Sequence, residues 1–252
     1  MKYITIIYSM KREHVVIIMA GGLGKRMNSD LPKVLHIVKN KPMLIRVINT
    51  ALETNPQRIF IVVGKYYEII KSAIEEYDLS EFIEFVIQDE PKGTGHAIMC
   101  ARNLLCENRK VLILSGDVPL ISKNTICDML SSESSLCLLA TRLENPSNYG
   151  RVIIENEEFK YIVEEKDCTE DEKKCDLINS GIYVFDEAML YNNLQYLQND
   201  NAQQEYYLTS MVEIIKNKEK TIVCVKELSQ NNQHEIMGVN TTEQLTQLNS
   251  FL

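Results

Sequence analysis

The first half of the chain alternates short, unbroken apolar runs with stretches of helical period. Val15-Val16-Ile17-Ile18-Met19, Ile59-Phe60-Ile61-Val62-Val63, residues 84–87 and Val111-Leu112-Ile113-Leu114 read as strands. They are too short for helices, and all but 84–87, which opens on Glu84, are apolar on both faces, as strands buried from both sides must be. Between them lie three helical patterns. The first opens at Pro42, a favoured first helical position, and Met43, Val47 and Ile48 line its apolar face. Residues 66–76 and 94–106 give two more. Such alternation predicts a mostly parallel sheet with helices on both faces, and ligands at the carboxyl ends of its strands. After Thr141 the pattern changes. Residues 151–154, 159–163 and 178–184 read as shorter strands, and the charged tract 164–176 as a solvated loop. A helix near 209–216, a strand at 221–225 and a helix near 241–250 close the chain. There is no internal repeat and no low-complexity linker.

Composition narrows the function. The net charge of −8 over 252 residues argues against wrapping nucleic acid, which is dominated by phosphate neutralisation. No apolar stretch reaches the length of a membrane span. Seven cysteines are present without a C-x-x-C pair, and His14, His36, His96 and His234 are scattered, so no zinc spacing emerges. Buried thiols in a reducing cytoplasm are the expectation. Met1 to Met10 has no cleavage signal and does not read as a secretory leader. It reads as an extra strand, an unstructured lead, or a segment upstream of a start at Met10.

Candidate chemistry begins directly after the first strand. Residues 19–35 carry Gly21, Gly22 and Gly24 together with Lys25, Arg26 and Lys33. Glycines let backbone N–H groups approach an anion closely, and the cations add full charge. Two phosphate-loop spacings fail here. The Walker pattern needs Gly-Lys-Ser/Thr, but Arg26 follows Gly24-Lys25. The dinucleotide pattern G-x-G-x-x-G needs a third glycine at position 27, which is Met27.

Further motifs are weak singly. In Ser115-Gly116-Asp117-Val118-Pro119-Leu120 a carboxylate ends a strand, where it can hold Mg²⁺ beside substrate phosphates or merely terminate a turn. Gln88 precedes Gly93-Thr94-Gly95-His96-Ala97; its amide can read a pyrimidine edge, while Thr94 is a natural helix cap. His96 has no nucleophile to activate and reads as structural. Asn148-Tyr149-Gly150-Arg151, Ile178-Asn179-Ser180-Gly181 and Glu205-Tyr206-Tyr207-Leu208-Thr209 supply neutral hydrogen bonders and aromatic faces suited to a sugar. Each is equally an ordinary turn or cap.

In order, the glycine loop, Leu-Pro-Lys, Gly-Thr-Gly-His-Ala, Gly-Asp-Val-Pro-Leu, Tyr-Gly-Arg, Val163-Glu164, Ile-Asn-Ser-Gly, Glu-Tyr-Tyr-Leu-Thr and Gly238-Val239-Asn240 carry a resemblance. Over roughly residues 14–248 the chain closely resembles the N-acetylglucosamine-1-phosphate uridylyltransferase domain family of the bacterial bifunctional enzymes. The resemblance implies an α/β nucleotide-diphospho-sugar transferase fold, Rossmann-like, with a small inserted sugar-binding lobe. Residues 1–13 would be an N-terminal extension. Residues 14–141 would form the nucleotide-binding part, and 142–252 the sugar lobe and the return to the core. It implies UTP and N-acetylglucosamine 1-phosphate as substrates, UDP-N-acetylglucosamine and pyrophosphate as products, and Mg²⁺ as cofactor. By the match, Arg26 and Lys33 are catalytic, offsetting phosphoryl charge. Ala20, Gly21, Gly22 and Gly24 cradle the phosphates beside Asp117. Gln88, Gly93 and Thr94 hold the base, and Asp117 and Asn240 ligate the metal. Gly150, Glu164, Asn179, Tyr207 and Thr209 line the sugar pocket. No nucleic acid or membrane partner is expected, and a homo-oligomer is a possible assembly. The acetyltransferase half of those enzymes has no counterpart in the chain, so no acetyl-CoA chemistry is expected. Ser210 stands where the wider superfamily carries an aspartate and is expected to cap a helix. Two alternatives stay open: a relative using another sugar phosphate or dTTP, and a non-catalytic UDP-sugar-binding protein.

Overall fold

The computed structural model describes residues 14–22, 24–27, 29–105 and 108–251; the reading of residues 1–13 lies outside them. The order of elements is β1 (His14–Met19), β2 (Ile37–Val38), β3 (Lys41–Pro42), α1 (Met43–Leu52), β4 (Ile59–Val63), α2 (Tyr67–Glu75), β5 (Ile83–Ile87), α3 (Thr94–Cys100) and β6 (Lys110–Ser115). Then come α4 (Lys123–Leu130), β7 (Leu136–Arg142), β8 (Arg151–Glu155), β9 (Glu158–Val163), β10 (Leu177–Asp186), α5 (Glu187–Asn193), α6 (Leu208–Glu219), β11 (Cys224–Leu228) and α7 (Thr242–Ser250).

The main sheet runs β11-β7-β10-β6-β1-β4-β5, with the hairpin β8–β9 attached through β10. Pairing is parallel for β1 with β4 and β6, β4 with β5, and β7 with β11. β10 departs from this, running antiparallel between β6 and β7. The alternation inside β1 explains the layering. Val15 and Ile17 face a core shared with Ala97 and Ile98 of α3, Leu190 of α5 and Met211, Val212 and Ile215 of α6. Val16 and Ile18 face the other core, with Leu44, Ile45 and Ile48 of α1, Ile70 and Ile74 of α2 and Ile126 and Met129 of α4. A strand exposes alternate residues to opposite faces, so a run apolar at every position demands a helical layer on each side. Each such side chain contributes about 1.5–3 kcal/mol on burial.

Several boundaries differ from expectation, each for a local reason. Pro42 is not the first residue of α1 but its N-cap, extended at ψ 144° and paired in the β2–β3 ribbon, so the helix begins at Met43. α3 ends at Cys100, and the chain tightens into a 3₁₀ turn over Arg102–Leu104, a common helix-end adjustment. Thr94 is the first residue of α3 rather than its cap; the cap is Gly93, at φ 105°. Ser210 lies inside α6, which begins at Leu208 behind Tyr207. α6 runs on to Glu219, with Lys220 left-handed at φ 53°, so the last strand starts only at Cys224. α4 and β7 were not anticipated at all. Among the described residues no helix is long and apolar enough to cross a membrane.

Candidate active site

β1 is the switch point of the sheet: the chain moves outward through β4 and β5, then returns to build β6 on the other side of β1. Such points leave a crevice at the carboxyl ends of the strands. The loops after β1, β5 and β6 enclose a cleft of about 490 Å³, lined by Ala20, Gly21, Gly22, Lys33, Gln88, Gly93, Thr94, Ser115, Asp117 and Glu205. A second cavity of about 1030 Å³ lies toward the β8–β9 hairpin and α7. Its walls include Arg26, Tyr149, Glu164, Glu205, Tyr207 and Asn240. Glu205 lines both.

Lys33 joins the two cavities. It follows the buried Pro32 at the start of a 3₁₀ turn, Lys33–Leu35. Its ammonium pairs with Asp117 Oδ2 and donates to Asn240 Oδ1 at 2.9 Å. The side chains of Lys33 and Asp117 are only 13% and 14% exposed. Gly24, left-handed at φ 59°, makes this approach possible, since a Cβ there would stand 2.9 Å from the Cβ of Lys33. Ser115 donates its hydroxyl to Asp117 Oδ1 at 2.6 Å. Burial acts to raise the pKa of Asp117, but Lys33 and the hydrogen bonds from Lys33 and Ser115 outweigh it and hold the carboxylate below its ordinary range.

Asn240 is placed from the far end of the chain. The Thr241–Gln244 capping box opens α7, and Gln244 Oε1 also accepts from the Asn240 N–H at 2.7 Å. Val239 donates its N–H to the Asp117 carbonyl at 3.0 Å, which sets Asn240 beside β6. Val239 also shares a small buried cluster with Met27, Val38, Met43 and Leu248. That cluster anchors the turn carrying the exposed Arg26.

Gln88 is 6% exposed. Its Nε2 donates to the Gly93 carbonyl at 3.1 Å and lies 3.1 Å from His96 Nδ1. The loop after it is bonded to the entry of α6. Tyr206 donates its N–H to the Lys92 carbonyl at 2.8 Å, Gly95 donates to the Tyr206 carbonyl at 2.7 Å, and Leu208 donates to Thr94 Oγ1 at 3.0 Å. Thr94 therefore caps α6 in space instead of its own helix.

Of the residues expected around a sugar, Glu164 and Tyr207 line the larger cavity, and both line a neighbouring cavity of about 480 Å³ with Thr209. Thr209 donates to Glu164 Oε1 at 2.9 Å, and the Asn179 N–H donates to the Gly150 carbonyl at 2.9 Å. Gly150 packs against the end of β9, where a Cβ would lie 3.3 Å from the Val163 carbonyl oxygen and 3.4 Å from Glu164 Oε2. Burial pushes the Glu164 carboxyl upward, the Thr209 hydroxyl opposes this, and Asp167 and Glu205 add to the rise. Asn179 is 8% exposed; its Nδ2 donates to the Tyr183 hydroxyl at 2.7 Å, while its Oδ1 has no partner among the described residues. Three participants escaped the sequence reading: Tyr183, Glu205 as a wall of both cavities, and Ser115 as the orienter of Asp117. For Tyr183 a signal existed, because residues four apart on a strand share a face with Asn179.

The chain matches the nucleotidyl transferase family over residues 15–240. It is 43% identical over 241 residues to a probable UDP-N-acetylglucosamine pyrophosphorylase of Acanthamoeba polyphaga mimivirus, covering 93% of this chain and 94% of that protein. It is 40% identical over 237 residues to the bifunctional protein GlmU of Clostridium botulinum (strain Loch Maree / Type A3), covering 92% of this chain and 50% of that protein. The chain thus spans about half the length of this bifunctional relative. In fold it is similar to a putative glucose-1-phosphate thymidylyltransferase from Bacillus anthracis, solved in complex with a sucrose. That likeness has a TM-score of 0.73 at 18% identity and covers 94% of each chain.

Proposed function

The chain belongs to the nucleotidyl transferase family, and from that premise we propose that it makes UDP-N-acetylglucosamine and pyrophosphate from UTP and N-acetylglucosamine 1-phosphate. The observation that carries the reading is the place of Lys33. Its ammonium bridges Asp117, on the wall of the nucleotide cleft, and Asn240, on the wall of the larger cavity. A group bound in each cavity would meet at that cation. The relatives' names supply the substrate pair.

In this reading a phosphate oxygen of the sugar 1-phosphate attacks the α-phosphorus of UTP. The new P–O bond forms as the bond to the β-phosphate bridging oxygen breaks, and pyrophosphate leaves with the electron pair. Charge grows on the phosphoryl oxygens, and catalysis is mostly positioning plus electrostatic stabilisation. Ala20, Gly21 and Gly22 carry the backbone against the triphosphate, with Lys33 on one side and Arg26 reaching in from the other cavity. Gln88, Gly93 and Thr94 take the base. Glu164, Asn179, Tyr207 and Thr209, with Gly150 behind them, take the sugar.

The same bridge bears on the metal. Asp117 Oδ2 and Asn240 Oδ1 converge on one cationic centre, the Lys33 ammonium. One carboxylate and one amide oxygen suit Mg²⁺, which takes its remaining ligands from water and substrate phosphates. Asp117 and Asn240 would therefore hold the ion, whose chemistry when bound is to neutralise phosphate charge.

The test is pyrophosphate release by the full chain with UTP, Mg²⁺ and a panel of sugar 1-phosphates. The expected result is release with N-acetylglucosamine 1-phosphate at least about tenfold faster than with glucose 1-phosphate, in line with loss of hydrogen bonds to a buried polar site. Equal or greater release with glucose 1-phosphate would reassign the sugar, and equal or greater release with dTTP in place of UTP would reassign the nucleotide. Nucleotide-sugar binding without release would leave a binding protein. Within this reading Tyr183→Phe frees the Asn179 amide to rotate. It is expected to raise KM for the sugar phosphate about fivefold, the worth of one net hydrogen bond of ~1 kcal/mol, with KM for UTP unchanged. An unchanged KM for the sugar phosphate would remove Asn179 from sugar recognition.

A further inference from the structure

The hydrogens around Gln88 can be counted. The Gly93 carbonyl, 3.1 Å from the Gln88 amide, can only accept, so the group facing it is the –NH₂. The second hydrogen of that nitrogen points at His96 Nδ1, also at 3.1 Å. Nδ1 must then be the bare, accepting nitrogen, and the ring proton sits on Nε2, which lies 4.0 Å from Cys100 Sγ. The imidazole is backed by the Tyr206 ring at 6.2 Å between centroids. With both amide hydrogens committed inward, Gln88 presents its oxygen to the cleft. Position 21 leaves that oxygen uncovered: a Cβ on Gly21 would stand 3.0 Å from Gln88 Oε1.

A carbonyl oxygen in that place needs a donor from the ligand. The imide pyrimidines, uracil and thymine, carry N3–H between two carbonyl groups. Cytosine has a bare N3, which would face the oxygen lone pairs. We propose that His96 is the positioning residue that sets this choice. As its Nε2-protonated tautomer it holds the Gln88 amide with oxygen outward, so the cleft accepts an imide base and rejects an aminopyrimidine. The inference rests on the UTP-using reading above and deepens it, because it assigns base choice to a side chain that does not touch the base. Without His96 one buried amide hydrogen loses its partner, and only Gly93 opposes rotation of the amide.

The experiment compares kcat/KM for UTP and CTP in the full chain, as wild type, His96→Phe and His96→Asn. His96→Phe is expected to lower the UTP-to-CTP ratio about tenfold or more, with KM for the sugar phosphate unchanged. His96→Asn, whose side-chain carbonyl reaches the place of Nδ1, is expected to restore most of the ratio. Nitrogen-15 NMR of the wild type should show His96 protonated on Nε2. A ratio unchanged in His96→Phe, or a proton on Nδ1, would overturn the proposal. A wild-type chain that releases no pyrophosphate from UTP overturns the preceding reading instead. Calorimetry with UDP and CDP on the same three proteins, together with the tautomer, then decides the role of His96 alone.

Discussion

Lys33→Ala is expected to lower kcat about 10²–10³-fold, the usual cost of removing one donor aimed at developing charge. The geometry adds a second, separable effect. Lys33 and Asp117 are both largely buried, and Asp117 is held below its ordinary range because the Lys33 charge and the hydrogen bonds from Lys33 and Ser115 together outweigh its desolvation. Truncating the lysine strands that carboxylate, and breaking a buried pair from one side costs about 3–5 kcal/mol. The variant should therefore melt well below the wild type at neutral pH as well as turning over slowly. The sign of the pH dependence follows from the direction of the shift. Asp117 has a folded pKa below its unfolded one, so pairing adds stability above the unfolded value and loses it as pH falls through the folded value. Melting curves of wild type and variant should accordingly converge on acidification. Turnover within a few-fold of wild type in a folded Lys33→Ala protein would remove Lys33 from catalysis.

Gly93→Ala is expected to damage both fold and nucleotide affinity. Gly93 caps α3 at φ 105°, a region L side chains rarely enter. Its added Cβ would stand 2.5 Å from the Tyr206 carbonyl oxygen and 2.9 Å from the Glu205 Cβ. Strain of that kind costs about 1–3 kcal/mol and overpacking about as much again. At roughly 2–4 °C per kcal/mol for a chain of this size, Tm should fall by about 5–20 °C. KM for UTP should rise about tenfold or more, because the Gly93 carbonyl orients Gln88 and any shift to relieve the clash moves that acceptor. A Tm within ~2 °C of wild type with unchanged KM would mean that the turn accommodates the methyl freely.

What could be read from the residues, and what could not, divides by range. The parallel strands around β1 were legible because burial on both faces leaves unbroken apolar runs, a purely local signature. The glycine loop, Asp117 and Gln88 were legible for the same reason: each follows such a run. β7 is as apolar as β1, yet its place between β10 and β11 is decided by pairing with segments made later in the chain. α4 buries only Ile126 and Met129, too little for a helical period to show. Thr94 and Ser210 look like caps in sequence, but the chain crosses there. Thr94 serves the helix at Leu208, and Ser210 is carried past the start of its own helix. Tyr183 and His96 act on other side chains, and no spacing motif records a hydrogen bond accepted from a neighbour's amide.

The antiparallel strand β10 has a consequence for how the protein is made. It separates β6 from β7 in the sheet but follows both in sequence. As the chain leaves the ribosome, β1, β4, β5 and β6 can assemble, yet the outer edge of β6 stays unpaired until residues 177–186 emerge. β7 has nothing to join until then. An open edge is where nascent chains pair wrongly, so the order of synthesis leaves this edge exposed to mispairing for the length of that interval. Asn240 arrives later still. A nascent chain can thus form the wall that faces a nucleotide before it owns the oxygen that completes the bridge to Lys33, and its capacity for chemistry is among the last properties it acquires.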